Sequence, residues 1–178
     1  GTGLMAMYFF DETTGVVVDS SPNQNNGTNQ GAERGIAGVI GRAFDFVSGS
    51  TEYVVVPHDG SLNATDEFSI AMWIKLDAYR NYDLPFTKRE GAELNYQIIS
   101  RGAGDDDMGL STVAESWIVP TPINTGVWAH YVAIFNVTNV KYYVNGSLNT
   151  TTATGTSLVT NTHDLMIGRD GETGSNYM

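Results

Sequence analysis

The chain has 178 residues, 20 acidic against 9 basic, and no cysteine. A chain of that length can bury roughly two thirds of its unfolded surface around one core, and the lack of thiols excludes disulfide scaffolds, thiolate metal sites and cysteine nucleophiles. A formal charge of −11 argues against a nucleic-acid backbone as partner.

No run reaches the roughly 18 apolar residues of a membrane helix, and the opening GTGLMAMYFF lacks the basic front and long apolar stretch of a secretion signal. The chain starts at Gly1 rather than Met, so a processed or excised piece of a longer protein is expected.

Short runs with period-two alternation dominate. The first is LMAMYFF at 4–10, followed after a polar stretch by AFDFV at 43–47 and EYVVV at 52–56. SIAMWIK at 69–75 sets Ile70, Met72 and Ile74 on one face and Ser69, Ala71, Trp73 and Lys75 on the other. Residues 77–94, DAYRNYDLPFTKREGAEL, break the rhythm and read as a long loop rich in charge and aromatics. Further strands are expected at 95–100, 108–113, 116–119 and 164–168.

WAHYVAIF at 128–135 groups Trp128, His130, Val132 and Ile134 on one face; NVTN leads to VKYYV, and Asn145-Gly146 leads to SLNTTTAT. Asn-Gly is the strongest short hairpin signal, so 128–153 reads as a three-stranded meander. No segment keeps a helical period between caps. The expectation is one all-β domain over 1–178, an antiparallel two-sheet β-sandwich.

Residues 19–27, Asp-Ser-Ser-Pro-Asn-Gln-Asn-Asn-Gly, concentrate oxygen-bearing side chains. The stretch fits a solvated loop, a turn whose Asn and Asp side chains bond their own backbone, or a calcium site in which Asp19, Asn23, Asn25 and Asn26 supply several of the six to eight oxygens Ca²⁺ requires. The run Asp105, Asp106, Asp107 reads as a solvated loop before a second metal site, because adjacent carboxylates repel.

Tyr79, Arg80, Tyr82 and Phe86 in the long loop, with Tyr96 beside it and Lys88 and Arg89 nearby, combine aromatic rings with polar groups. That is the pairing a sugar site needs, for the apolar C–H faces and hydroxyls of a glycan. An ordinary loop packing its own aromatics fits equally. His130 reads as a strand residue, and His58 and His163 as loop residues with no zinc spacing.

Sequons occur at Asn26, Asn63, Asn136, Asn145 and Asn149, potential glycosylation acceptors that favour an extracellular or cell-surface setting. There is no Gly-x-Ser-x-Gly elbow, His-Glu-x-x-His or phosphate loop.

Four blocks in order resemble the concanavalin A-like lectin/glucanase superfamily, and in particular its laminin-G-like, pentraxin-like domains. They are GLMAMYFFDETTG with the Asn/Gly-rich loop; GIAGVIGRAFDFVSGSTEYVVVPHDGSLNATDEFSIAMWIKL; YQIISRG with VWAHYVAIFNVTNVKYYVNG; and LMIGRD. The resemblance implies a jelly-roll sandwich, a structural calcium in the Asn-rich loop, and core packing for Trp73 and Trp128, leaving Trp117 less constrained. The superfamily's glucanases carry Glu-x-Asp-x-x-Glu on one strand, a string absent here.

Family members also close with a strand of the type Phe-x-Gly-x-Ile-Asp-Glu-Val, which does not occur before Met178. LMAMYFF is therefore expected to lack a neighbour, and a neighbouring chain or further C-terminal segment is expected to supply one. The function expected is a noncatalytic recognition module of an extracellular or surface protein, binding glycan or protein. The alternative is an assembly domain of a surface filament or envelope protein, completed by a partner's strand.

Overall fold

The computed structural model describes residues 3–47, 50–80, 83–101, 107–112, 116–120, 123–155 and 158–169. Thirteen strands run in chain order: β1 Thr28–Gln30, β2 Glu33–Ala37, β3 Arg42–Asp45, β4 Tyr53–Val56, β5 Phe68–Ile74, β6 Phe86–Glu90, β7 Glu93–Arg101, β8 Asp107–Ser111, β9 Ser116–Pro120, β10 Ala129–Asn136, β11 Asn139–Val144, β12 Ser147–Ala153 and β13 Leu165–Ile167. They form a seven-stranded sheet in the order β1-β4-β13-β6-β7-β8-β9 and a four-stranded sheet β12-β11-β10-β5. Every pairing between these strands is antiparallel.

The side-chain alternation decides which residues enter the core. From the four-stranded sheet Ile74, Tyr131, Ala133, Phe135, Val140, Tyr142 and Val144 point inward, and from the other sheet Val54, Val56, Tyr96, Ile98, Met108 and Leu110 meet them. Each such aliphatic or aromatic side chain contributes about 1.5–3 kcal/mol when fully buried. The layers are also tied directly, since Leu110 N donates to the Tyr142 hydroxyl at 3.0 Å. The antiparallel sandwich read from the alternation is the observed architecture.

The meander is present as β10, β11 and β12. At its second turn Asn145 and Gly146 take φ of 50° and 79°, the left-handed pair that lets a two-residue loop follow the strand twist. At the first turn Asn136 Oδ1 accepts from Thr138 N and Asn139 N, an Asx turn. A bulge between Tyr142 and Tyr143 sets Asn149 out of register.

Three expectations are corrected, and one pair of strands is added. Residues 4–10 form no strand: the segment makes one isolated bridge, Tyr8 to Asp19, while Met5, Ala6, Tyr8 and Phe10 pack on the core. Its remaining apolar side chains Leu4, Met7 and Phe9 stay exposed, so alternation alone, without a ladder partner, did not make a strand there. The long loop 77–94 ends early, because FTKRE forms β6 and pairs with β7. Residues 28–37 supply β1 and β2, and β2 joins β3 in a small third sheet. Trp73 stands on the outer face of β5, 48% exposed, instead of in the core; Trp128 is half-buried, with the Lys75 ammonium 5.8 Å from its ring centre.

Candidate functional site

The Asn-rich loop is organised by one carboxylate. Asp19 is buried, and its Oδ1 accepts from Met7 N and Ser21 N, each at 2.8 Å, while Oδ2 accepts from the Ser21 hydroxyl and Asn25 N, each at 2.8 Å. Burial pushes the pKa of Asp19 up, but the hydrogen bonds from Ser21, Met7 and Asn25 outweigh it and hold the carboxyl below its ordinary range.

The asparagines serve the same scaffold. Asn26 Oδ1 accepts from Asp19 N at 2.9 Å, Asn23 Nδ2 donates to the carbonyls of Leu4 and Met5, and Asn25 Nδ2 donates to the Ser61 hydroxyl at 3.0 Å. The loop thus holds segment 4–10 through side chains. A calcium ion on Asp19 would have to compete with four N–H and O–H donors.

The aromatic group does not converge at the surface. Tyr96 is buried, with its ring 5.3 Å from Phe68 and 6.1 Å from Phe86, and its hydroxyl donates to the Leu62 carbonyl at 2.9 Å. Phe86 is half-buried against the same core. Tyr79 packs there too and donates to the Ile123 carbonyl at 3.1 Å. Arg80 is exposed, and its backbone carbonyl accepts from the Ser100 hydroxyl. Tyr82, Asp105 and Asp106, and the side chain of Trp117, lie outside the described residues. The alternation explains the dispersal: strands β6 and β7 turn Phe86 and Tyr96 toward the other sheet, where the sequence suggests a loop platform.

The opposite face of the same strands carries a different set. Phe86 and Ile98 pair on the core side, so Thr87 and its neighbour Gln97 point away from it, and Ser111, opposite Gln97 on β8, does likewise. Val55 and Met166 extend this row across β4 and β13. The two ends differ in exposure: Val55 and Met166 are half-buried, while Thr87, Gln97 and Ser111 are buried, with the Thr87 hydroxyl donating to Gln97 Oε1 at 3.2 Å. The polar end of the row is thus shut off from solvent, and its half-buried end at Val55 and Met166 is the part open to a ligand. Sequence reasoning missed the row because β6 was assigned to a loop; NYQIIS, with Gln97 out of phase with Tyr96 and Ile98, held the signal.

A second cluster lies at the core side of β6. Lys88 is fully buried, and Nζ donates to Asn161 Oδ1 at 2.9 Å and the His163 carbonyl at 2.7 Å, with His58 Nδ1 at 3.1 Å. Burial pulls its pKa down to about 8, against an opposing pull from Asp164. His163 lies between Glu90 and Glu93, its ring nitrogens 2.9 and 3.0 Å from their carboxylates.

Of the sequon residues, Asn26 and Asn145 are exposed, and Asn63, Asn136 and Asn149 half-buried. No helix among the described residues is long and apolar enough to cross a membrane.

The chain is similar in structure to domain 4 of AbnA, a GH43 extracellular arabinanase from Geobacillus stearothermophilus, in complex with arabinotriose: the TM-score is 0.69 at 20% identity, covering 99% of this chain and 85% of that one. The receptor-binding domain of botulinum neurotoxin C/D mosaic serotype gives 0.67 at 14% identity over 89% of this chain. A structure of botulinum neurotoxin type C, whose cell entry depends on interaction with two ganglioside molecules, gives 0.68 at 13% identity over 93%. This chain spans 41% and 42% of those two chains. At these identities the likeness establishes the fold. No curated protein sequence matches the chain. The family model for the laminin-G-like group of the concanavalin A-like lectin/glucanases superfamily matches residues 48–178, and the chain belongs to that superfamily.

Proposed function

We propose that this domain is a noncatalytic glycan-recognition module of an extracellular or surface protein, and that oligosaccharide lies on the non-core face of the seven-stranded sheet. The observation that carries the reading is the cross-strand row Val55, Met166, Thr87, Gln97 and Ser111. In this reading the sugar lies over half-buried Val55 and Met166, where its C–H faces find apolar contact, while the buried Thr87–Gln97 hydrogen bond ties β6 to β7 beside them. Supporting it is the likeness over nearly the whole chain to an arabinanase domain in complex with arabinotriose. The wider superfamily includes catalysts, but the paired carboxylates of its glucanase string are missing from this sequence. Calcium at the Asp19 loop is kept as an accessory proposal: its role would be to brace segment 4–10.

The test is a glycan array followed by titration calorimetry with arabinotriose and with the best array hit. Val55→Ser and Met166→Ala are expected to weaken binding about tenfold each, for loss of apolar contact with the sugar, with circular dichroism unchanged. No binding on the array, or unchanged affinity in both variants, would overturn the reading.

A further inference from the structure

Strand β5 ends the four-stranded sheet, and its far side has no neighbouring strand among the described residues. Which backbone groups it leaves open follows from the register. His130 N donates to Asn145 Oδ1 and the His130 carbonyl accepts from Asn145 N, so the His130 backbone faces β11. His130 stands opposite Trp73, and in an antiparallel ladder such a pair turns its groups outward on both strands. Trp73, and by alternation Ala71 and Ser69, therefore direct their N–H and C=O groups to the free edge. All three residues are at least partly open to solvent on the outer face. Natural edges are blunted by proline, bulges or inward-pointing charge; FSIAMWI has none of these. The core is also thinly covered here, since Phe68, Ile70 and Met72 are only half-buried or less, whereas Tyr131, Ala133 and Phe135 on neighbouring β10 are 0–1% exposed.

We infer that this edge binds a second copy of the same chain, β5 against β5 in antiparallel fashion about a twofold axis at Ala71. The sequence around β5 complements itself. With Ala71 opposite Ala71, Ser69 faces Trp73 of the second copy, and on the core side Ile70 faces Met72 and Phe68 faces Ile74. Glu67 and Lys75, which flank the strand and are exposed, then stand opposite each other twice, once on each side of the axis. The register that joins the open N–H and C=O groups of residues 69, 71 and 73 is the same register that pairs those charges. That coincidence favours a second copy over an unrelated strand. A small residue at the axis lets the chains approach, and the contact is isologous, so assembly closes at the dimer.

The test is sedimentation equilibrium of the full 178-residue chain over a dilution series without glycan, so that its outcome is separate from the glycan reading. A concentration-dependent dimer is expected. Lys75→Glu or Glu67→Lys should weaken it about tenfold, since each replaces two attractions with two repulsions, and the double variant Glu67→Lys/Lys75→Glu should restore it. Ala71→Cys, in a chain with no other cysteine, should cross-link as a dimer under mild oxidation. A monomer at every concentration up to the solubility limit would overturn the inference. So would a dimer indifferent to both charge reversals, or an edge that pairs only with added peptide or further polypeptide.

Discussion

Lys88 Nζ donates to the Asn161 side-chain carbonyl across 2.9 Å, and Asn161 Nδ2 returns to the backbone carbonyls of Lys88 at 3.1 Å and Glu93 at 3.0 Å. One amide thus holds an ammonium and closes the β6–β7 turn together. Asn161→Ala leaves a buried cation and two carbonyls short of partners and should cost roughly 3 kcal/mol or more in urea unfolding. Lys88→Met removes the charge with its stem volume kept and should cost far less.

The same lysine gives a pH signature. Its folded pKa of about 8 lies below the ordinary 10.5, so the folded chain binds this proton less tightly than the unfolded one. Stability from this group should therefore rise as pH climbs from about 8 toward 10, and sit at its low plateau below about 8. Tyr96, Tyr131 and Tyr142, pushed up by burial, act oppositely above about pH 10, which closes the window. Unfolding free energies between about pH 7.5 and 9.5 should slope upward in the native chain and flatten in Lys88→Met.

Asp83 works in the acid range. It is 7% exposed, and burial lifts its pKa to about 6 against the pull of Arg80. A raised carboxyl favours folding below its unfolded pKa and loses that contribution as pH rises through the folded value. Replacing it by Asn should remove a decline between about pH 4 and 6 worth no more than about 3 kcal/mol. Titration of Tm against pH for both proteins measures it.

Asp19 carries the reverse sign. Its depressed pKa means its contribution is present at neutral pH and lost as pH falls through the folded value. Asp19→Asn substitutes an NH₂ for an acceptor facing two donors and should cost about 2 kcal/mol. Both carboxylate oxygens already accept two hydrogen bonds each, so calcium that braces this loop has to displace donors; a rise in Tm at millimolar calcium would support the accessory proposal, and an unchanged Tm would remove it.

Tyr131 offers a stabilising change. Its hydroxyl is buried without a hydrogen-bond partner among the described residues. Tyr131→Phe should be neutral or raise stability by up to about 1 kcal/mol, read as the midpoint of urea unfolding.

Much of the sandwich was legible because period-two alternation is a direct imprint of a sheet with one dry face. Ala129, Tyr131, Ala133 and Phe135 fall on that face, and Asn145-Gly146 announces its turn. Segment 4–10 shows where the signal fails: the same alternation arises when a chain lies on a core without pairing. β6 failed in the other direction, since Lys88 and Arg89 look solvated in sequence and only the distant His58, Asn161 and His163 make a buried lysine tolerable. The aromatic platform failed because Tyr96 and Phe86 carry no mark in sequence of which sheet face they occupy. The row through Thr87 and Gln97 emerges only once β6 and β7 are set in register.

The tether of segment 4–10 has a kinetic consequence. Met7 N donates to the Asp19 carboxylate and the Met7 carbonyl accepts from Ser20 N, so this arm hangs from one hub instead of being laced along a strand. It should detach as a unit, with amide protons there trading with heavy water well before those of β10. Thermolysin should clip it first, shaving the arm while the two layers behind it stay closed.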